Sequence, residues 1–269
     1  MNAQCNLMVD SGAWSAYTKS ETVDIYKYME YLTEHKDVID HYISLDVIKD
    51  PQTSMRNYLL MKSHGFNPIP VYHVETDAKY LRWYLKQTDY IAIGAIAKMS
   101  TKARVNNLDG IWGKYLTDSK GMPLAKFHGL GLTSLDILTR YPWFSVDSTS
   151  WCLYGKYGMV LVPKMVKNKY DYGEMMWKIF ISNESPKAKI KGRHFKTLTK
   201  SQQTEILKYV HEKGFKLGKV NIEGKVLERG VSNDAYIRDQ INTLFFIDVL
   251  RQIPEWPWPF KKGNMIGLY

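Results

Sequence analysis

The sequence predicts an α/β protein, and more specifically a (β/α)8 TIM-like barrel with a basic insertion late in the chain. Short runs rich in β-forming residues alternate with stretches of helical period through the first 150 residues. This alternation is typical of parallel βα units. Six βα units and a seventh candidate strand are more than a small doubly wound sheet needs. The length of 269 residues also suits a barrel, which commonly has about 250 residues. We therefore expect a single domain over residues 1–269.

The predicted strands are short and mostly apolar. The first six are residues 6–12, 42–48, 67–74, 90–96, 126–132 and 143–148. A seventh is 158–163, and the candidate for the eighth is 216–222. Helical period extends over residues 22–37, 51–65, 77–88, 198–214 and 232–253. At the start of 198–214, Thr199 is followed three residues later by Gln202, which predicts a capping box.

The segment 164–200 interrupts the alternation and carries most of the excess positive charge. The chain has a formal charge of +10, and nine lysines and one arginine stand against three acids in this segment, which gives it +7. Such a block attracts phosphates, although it also fits a solvated surface that keeps a protein soluble. The residues predicted to contact nucleic acid are Lys187, Lys189, Lys191, Arg193 and Lys196.

The two cysteines, Cys5 and Cys152, do not form a metal-binding or disulfide pattern. We therefore expect neither a metal nor a cofactor. The first residues do not resemble a secretory signal, and no apolar run reaches the 18 residues of a membrane span. These observations predict a cytoplasmic protein without a membrane partner.

Polar residues follow the predicted strands at their carboxyl ends, where barrel active sites are built. One such acid would be a turn or helix-cap residue. Three acids and two histidines, each after an apolar run, instead indicate a shared polar pocket. The candidates are Asp10, Ser11, Gly12, Asp46, His73, Gly94, His128, Gly129, Asp147 and Ser148.

Glycines within two of these strands suggest close approach by a ligand. Gly94 interrupts an apolar run, and Gly129 and Gly131 alternate with leucines on one face. Such a bare wall would accept a flat aromatic base. Tight packing inside a barrel is the alternative explanation.

Six segments, in this order, resemble the tRNA-guanine transglycosylase superfamily, and most of all its shorter phage and bacterial branch, the 7-deazaguanine DNA transglycosylases. The resemblance covers residues 6–151. The segments are "DSGAWSA", "SLDVI", "PVYHV", "YIAIGAIA", "KFHGLGLTS" and "RYPWFSVDSTSW". The resemblance implies that guanine in a polynucleotide is exchanged for a 7-deazaguanine base, such as 7-cyano-7-deazaguanine, as the co-substrate.

The resemblance also implies roles for individual residues. Asp147 matches the family's nucleophile, Asp10 its general acid and base, and Asp46 the acid that reads the Watson–Crick edge of the base. Gly94 matches a glycine whose backbone contacts the base, whereas His73 stands where the tRNA enzymes usually have glutamine. Retaining exchange at a sugar carbon uses two such carboxylates, one as nucleophile and one as acid and base.

The chain departs from the tRNA enzymes because it is shorter and has no site of three cysteines and one histidine for zinc. This departure favours DNA as the partner. Three alternatives stay open: the same exchange on RNA, a nucleic-acid-binding barrel without catalysis, and an unrelated barrel glycosidase or lyase acting on a small sugar. If the protein is encoded by a phage, the cytoplasm is that of the host.

Overall fold

A computed structural model describes residues 6–94, 99–132, 134–173, 176–185 and 190–262. The described residues form two compact units. The described residues of the first unit lie within 6–132, 141–147 and 256–262. The described residues of the second unit lie within 134–140 and 148–255.

The first unit alternates strands and helices as the sequence predicts. Its strands are β1 Met8–Val9, β2 His41–Tyr42, β3 Val71–His73, β4 Tyr90–Gly94, β5 Lys126–Gly129 and β6 Ser145–Val146. Its helices are α1 Ala13–Lys19, α2 Ile25–Glu34, α3 Pro51–Ser63, α4 Ala78–Tyr84 and α5 Thr101–Ile111, which continues into a π-helical turn at Trp112–Leu116. Asp24, Asp50, Asp77 and Ser100 cap α2 to α5 by accepting backbone N–H bonds at each amino end.

All six strands of the first unit pair in parallel and in chain order. β1 pairs with β2, and β3, β4, β5 and β6 form one sheet in that order. A parallel bridge between Ile43 and Ile69 continues the pairing from β2 towards β3. The predicted parallel βα units of residues 6–148 are therefore confirmed.

The strand register places His73, Gly94 and His128 on one face of the sheet and Gly129 on the opposite face. His73 pairs with Gly94, and His128 pairs with both Ala92 and Ser145. Paired residues, and residues two apart in a strand, point to the same side. This face also carries an apolar cluster of Ile43, Ile69, Val71, Tyr90 and Ala92. Polar side chains thus follow apolar ones on the same face, towards the carboxyl ends of the strands.

The second unit combines helices with antiparallel strand pairs. Its helices are α6 Leu135–Arg140, α7 Ser150–Lys156, α8 Lys200–Glu212 and α9 Ala235–Leu250. Its strands are β7 Met159–Val162, β8 Lys164–Val166, β9 Lys169–Asp171, β10 Trp177–Phe180, β11 Lys219–Val220 and β12 Val226–Glu228, and a short 3₁₀ turn spans Phe195–Thr197. The core packs β7 and β10 against α8 and α9 through side chains such as Val160, Ile179, Ile206 and Ile241. The capping box predicted at Thr199 and Gln202 is confirmed.

The structure confirms a mixed α/β chain with a parallel sheet. The predicted strand 158–163 forms as β7, but β7 pairs with β10 in an antiparallel ladder. The candidate strand 216–222 contains β11, which forms an antiparallel pair with β12. Among the described residues, the strand pairs therefore do not close into a barrel. The basic segment 164–200 contains β8, β9 and β10 rather than a simple loop.

In the part of the chain that the structure describes, no helix combines the length and apolar composition of a membrane-spanning segment.

Candidate active site

The first unit brings three of the predicted acids into one electrostatic environment. Asp10 follows β1, Asp46 follows β2, and Asp147 follows β6. The negative charges of Asp46 and Asp147 both raise the pKa of Asp10, and the nearby His128 lowers it. Charges act on each other in this way only when they lie near one another. The strand ends thus converge, as the sequence predicts.

The surroundings of Asp10 raise the pKa of its carboxyl group. Desolvation and then the charge of Asp46 raise its pKa above the ordinary value of 3.8. The Ser11 N–H donates a 2.8 Å hydrogen bond to Asp10 Oδ1 and opposes this shift without cancelling it. Asp10 as a whole residue is nevertheless exposed to solvent. These features are those of a general acid.

Asp46 is held by two buried side chains. His73 Nε2 lies 2.9 Å from Asp46 Oδ2, and the Ser11 hydroxyl donates to Asp46 Oδ1 over 3.2 Å. The exposed fractions of Asp46, His73 and Ser11 are only 7%, 6% and 5%. A buried carboxylate needs such partners because its charge has lost water. Asp46 is therefore a fixed acceptor, and His73 holds this acid in place.

Asp147 favours its ionised form. Burial would raise its pKa, but a hydrogen bond from His128 and another from the Gly131 N–H outweigh burial and lower it. His128 Nε2 lies 3.4 Å from Asp147 Oδ1, and the Gly131 N–H donates to the same oxygen over 2.7 Å. The His128 side chain is 4% exposed, whereas that of Asp147 is 56% exposed. An ionised, accessible carboxylate fixed at one oxygen suits a nucleophile.

Two residues that the sequence did not single out complete this arrangement. The Ser145 hydroxyl lies 2.7 Å from His128 Nδ1 and 2.7 Å from the Tyr90 hydroxyl. Both ring nitrogens of His128 thus face a protein group, which makes His128 a support for Asp147 rather than a direct substrate contact. The available signal was a serine inside the short apolar run before Asp147.

Gly12 has a conformational reason to be glycine. Its φ of 74° lies in the left-handed region, and it immediately precedes α1. Its carbonyl accepts the Ala16 N–H over 3.0 Å and so starts the helix. Gly12 therefore turns the chain sharply after Asp10 and Ser11.

Gly94 makes room for His73. A Cβ atom at Gly94 would lie 2.8 Å from His73 Cδ2 and 3.3 Å from His73 Nε2. The close approach predicted at this glycine is therefore made by the imidazole that contacts Asp46.

Gly94→Ala is expected to destabilise the first unit by about 1–3 kcal/mol, because the added methyl group overlaps the His73 ring. Urea unfolding of the variant measures this change. Gly110→Ala is the matched control, since Gly110 is exposed in α5 and its Cβ would meet nothing within 4 Å. The free energy of unfolding of this control should rise by up to about 1 kcal/mol. Equal effects at both positions would contradict the packing explanation.

Side chains already occupy the space beside Gly129, where the sequence suggested a bare surface. A Cβ at Gly129 would lie 2.2 Å from Leu132 Cδ1 and 3.2 Å from Trp143 Cε3. This glycine is therefore explained by tight packing, the alternative that the sequence left open. Gly131, with φ 66°, is exposed and uses its N–H on Asp147 instead of forming a bare surface.

Ser148 has a local role in the second unit. Its hydroxyl accepts the Ser150 N–H over 3.0 Å where α7 begins. Such a contact is usual for serine before a helix. A role for Ser148 in substrate binding stays a prediction.

The structure describes three of the five residues that were predicted to contact nucleic acid. Lys191, Arg193 and Lys196 are exposed in the second unit, whereas Lys187 and Lys189 lie outside the described residues. The backbone near them is fixed, because the Phe180 N–H donates to the Arg193 carbonyl over 3.2 Å. The three side chains are free to meet solvent or phosphate.

Comparison with protein-family models, curated proteins and solved structures found no match to this chain.

Proposed function

We propose that the protein exchanges guanine in DNA for a 7-deazaguanine base, by double displacement through a covalent bond between Asp147 and the sugar. The observation that carries this proposal is the placement of Asp10 and Asp147 directly after β1 and β6 of one unit, with Asp147 fixed through Oδ1 by the Gly131 N–H. The surroundings of the two acids support it. The pKa of Asp10 is raised and that of Asp147 is lowered. A retaining transfer at an anomeric carbon needs one acid protonated and the other ionised at the same pH.

In the first half-reaction, Asp147 attacks C1′ of the target nucleotide. Among the described residues, the contacts of Asp147 fall on Oδ1, so that Oδ2 is the attacking oxygen. The bond from Oδ2 to C1′ forms as the bond from C1′ to guanine breaks. Asp10 gives its proton to the departing guanine and becomes a carboxylate.

In the second half-reaction, a 7-deazaguanine takes the place of guanine. Asp10, now ionised, removes the proton from the nitrogen that will bind the sugar. This nitrogen attacks C1′ while the bond to Asp147 breaks, which regenerates both acids in their starting forms. The exchange therefore needs neither an oxidant nor a hydrolytic water.

Asp46 is proposed to read the base. A guanine-type base presents N–H donors on its Watson–Crick edge, and an ionised carboxylate is an acceptor with lone pairs on both oxygens. Asp46 already accepts from Ser11 and faces His73, and each oxygen keeps a second lone pair for the base. The low exposure of Asp46 supports this role because a shielded acceptor discriminates more strongly between bases.

We further propose that the strands of the first unit are part of a (β/α)8 barrel over the whole chain. Six parallel strands in chain order, with polar groups on one face at their carboxyl ends, support this proposal.

Exposed basic side chains of the segment 164–200 are proposed to hold the DNA backbone. Substituting Lys191, Arg193 and Lys196 together with glutamate should weaken DNA binding and flatten its dependence on salt. The slope of log K against log salt should fall by about 0.9 for each phosphate that the variant no longer neutralises. Fluorescence anisotropy with a labelled oligonucleotide measures both quantities.

The control for this charge reversal carries glutamate at Lys27, Lys36 and Lys86, three exposed lysines of the first unit. Both triple variants change the net charge by the same amount. An equal loss of affinity in the two would assign the effect to overall charge and would contradict a specific contact.

A labelled-base exchange assay tests the proposed function. The protein is incubated with radiolabelled guanine or 7-cyano-7-deazaguanine and with duplex DNA, single-stranded DNA or RNA. Label incorporated into DNA supports the proposal. Label incorporated only into RNA would show that RNA is the substrate of the same reaction. Binding without incorporation would indicate a non-catalytic nucleic-acid-binding protein. Base or sugar release from a small substrate alone would indicate a glycosidase or lyase.

A further inference from the structure

A chain of three hydrogen-bonding side chains lies behind Asp147. The Tyr90 hydroxyl is 2.7 Å from Ser145 Oγ, which is 2.7 Å from His128 Nδ1. On its other side, His128 Nε2 is 3.4 Å from Asp147 Oδ1. Tyr90 begins β4, Ser145 begins β6, and His128 lies on β5 between them. The chain therefore crosses three adjacent strands and ends at the proposed nucleophile.

For a neutral His128 ring, the direction of these hydrogen bonds follows from the charge of Asp147. An ionised carboxylate only accepts, so the nitrogen that faces it must carry hydrogen. A neutral imidazole with hydrogen on Nε2 has a lone pair on Nδ1. The Ser145 hydroxyl then donates to Nδ1, and Tyr90 donates to Ser145. The opposite direction would turn the Nε2 lone pair towards the negative charge of Asp147.

The surroundings of Tyr90 support its role as the first donor. Tyr90 is 8% exposed, and its ring makes edge contacts with His41 at 5.7 Å and Phe144 at 5.3 Å. Burial raises the pKa of Tyr90, which keeps the phenol protonated at neutral pH. The hydroxyl is thus a fixed donor at the closed end of the chain.

We propose that Tyr90 and Ser145 are positioning residues that fix His128 in the tautomer whose Nε2–H faces Asp147. This inference rests on the proposed role of Asp147 as the nucleophile. The Nε2–H orients Oδ1 and leaves Oδ2 directed to the sugar. The second partner of a histidine commonly sets its tautomer and ring orientation in this way.

The tautomer is measured directly by 15N NMR of the imidazole nitrogens, without any substrate. The His128 signals are assigned by their loss in His128→Gln. At about pH 8, where an ordinary histidine is neutral, we expect hydrogen on Nε2 and an unprotonated Nδ1. Ser145→Ala and Tyr90→Phe should each populate the other tautomer, and Ser145→Thr should restore the wild-type spectrum.

Two matched controls separate this effect from the loss of any buried hydroxyl. Ser44 Oγ and Tyr84 Oη are buried without a hydrogen-bond partner among the described residues. Ser44→Ala and Tyr84→Phe should leave the His128 spectrum unchanged. A wild-type ring with hydrogen on Nδ1 or on both nitrogens would overturn the proposal, as would a Ser145→Ala spectrum identical to wild type.

Exchange kinetics provide the second measurement. Ser145→Ala should lower kcat by about tenfold or more with little change in KM, and Ser145→Thr should recover most of it. A wild-type protein that has the expected tautomer but exchanges no base would overturn the proposed function and leave the positioning chain intact. A protein that exchanges base with the other tautomer would overturn only the positioning chain.

Discussion

Asp147→Asn should abolish base exchange and the covalent intermediate. The amide keeps the size of the side chain but cannot attack C1′ as an anion, and the loss of an enzyme's nucleophile typically lowers kcat by at least about 10⁴-fold. The adduct is detected by denaturing electrophoresis of the protein with a guanine-containing oligonucleotide. Wild type should give a shifted band, and Asp147→Asn should not.

The variant must also keep its fold and its DNA affinity. The lowered pKa of Asp147 means that its charged form stabilises the folded state. This contribution is complete above the ordinary value of 3.8 and is lost as pH falls through the lowered pKa. Asp147→Asn should therefore be slightly less stable at neutral pH. Asp37→Asn, at an exposed position outside the site, is the control for a lost charge. Undiminished exchange by Asp147→Asn would exclude Asp147 as the nucleophile.

The convergence of acids at one end of the parallel strands was predictable from sequence. Apolar runs followed by Asp10, Asp46 and Asp147 fix both the strand positions and the ends at which polar groups occur. The alternation of strands and helices then dictates parallel pairing, because each helix returns the chain to the same edge. The register of His73 beside Gly94 is a consequence of that pairing.

The partners of these acids were not predictable, because they depend on side-chain contacts between strands. In the sequence, Ser145 looks like an ordinary small strand residue. Its role is visible only in the structure, where β5 places His128 beside it. Gly129 was predicted to leave a bare wall, but Leu132, three residues later, folds back over it. The antiparallel pairing of β7 with β10 also lacked a signal, since an apolar run has the same composition in either direction.

Asp10→Asn should also slow base exchange strongly, but for a different reason and with the opposite effect on stability. Without an ionisable carboxyl group, guanine must leave unprotonated and the incoming base keeps its proton, so we expect a loss of about 10²–10⁴-fold. In wild type, exchange should decline as pH rises through the raised pKa of Asp10. It should also decline as pH falls through the lowered pKa of Asp147. A pH profile of kcat/KM measures both declines. The decline at high pH should be absent from Asp10→Asn.

The stability of Asp10→Asn provides a test that does not depend on activity. Since the folded protein raises the pKa of Asp10, its charged form is disfavoured, and stability falls as pH rises from 3.8 through the raised value. Asparagine removes this penalty and retains an oxygen for the Ser11 N–H. Thermal unfolding at pH 7 should therefore show a higher Tm than wild type, and the difference should vanish at about pH 3, where both side chains are neutral. A lower Tm at pH 7 would contradict the raised pKa and, with it, the assignment of Asp10 as the acid. A higher Tm with no exchange would instead show that this carboxyl group is retained for catalysis at the expense of stability.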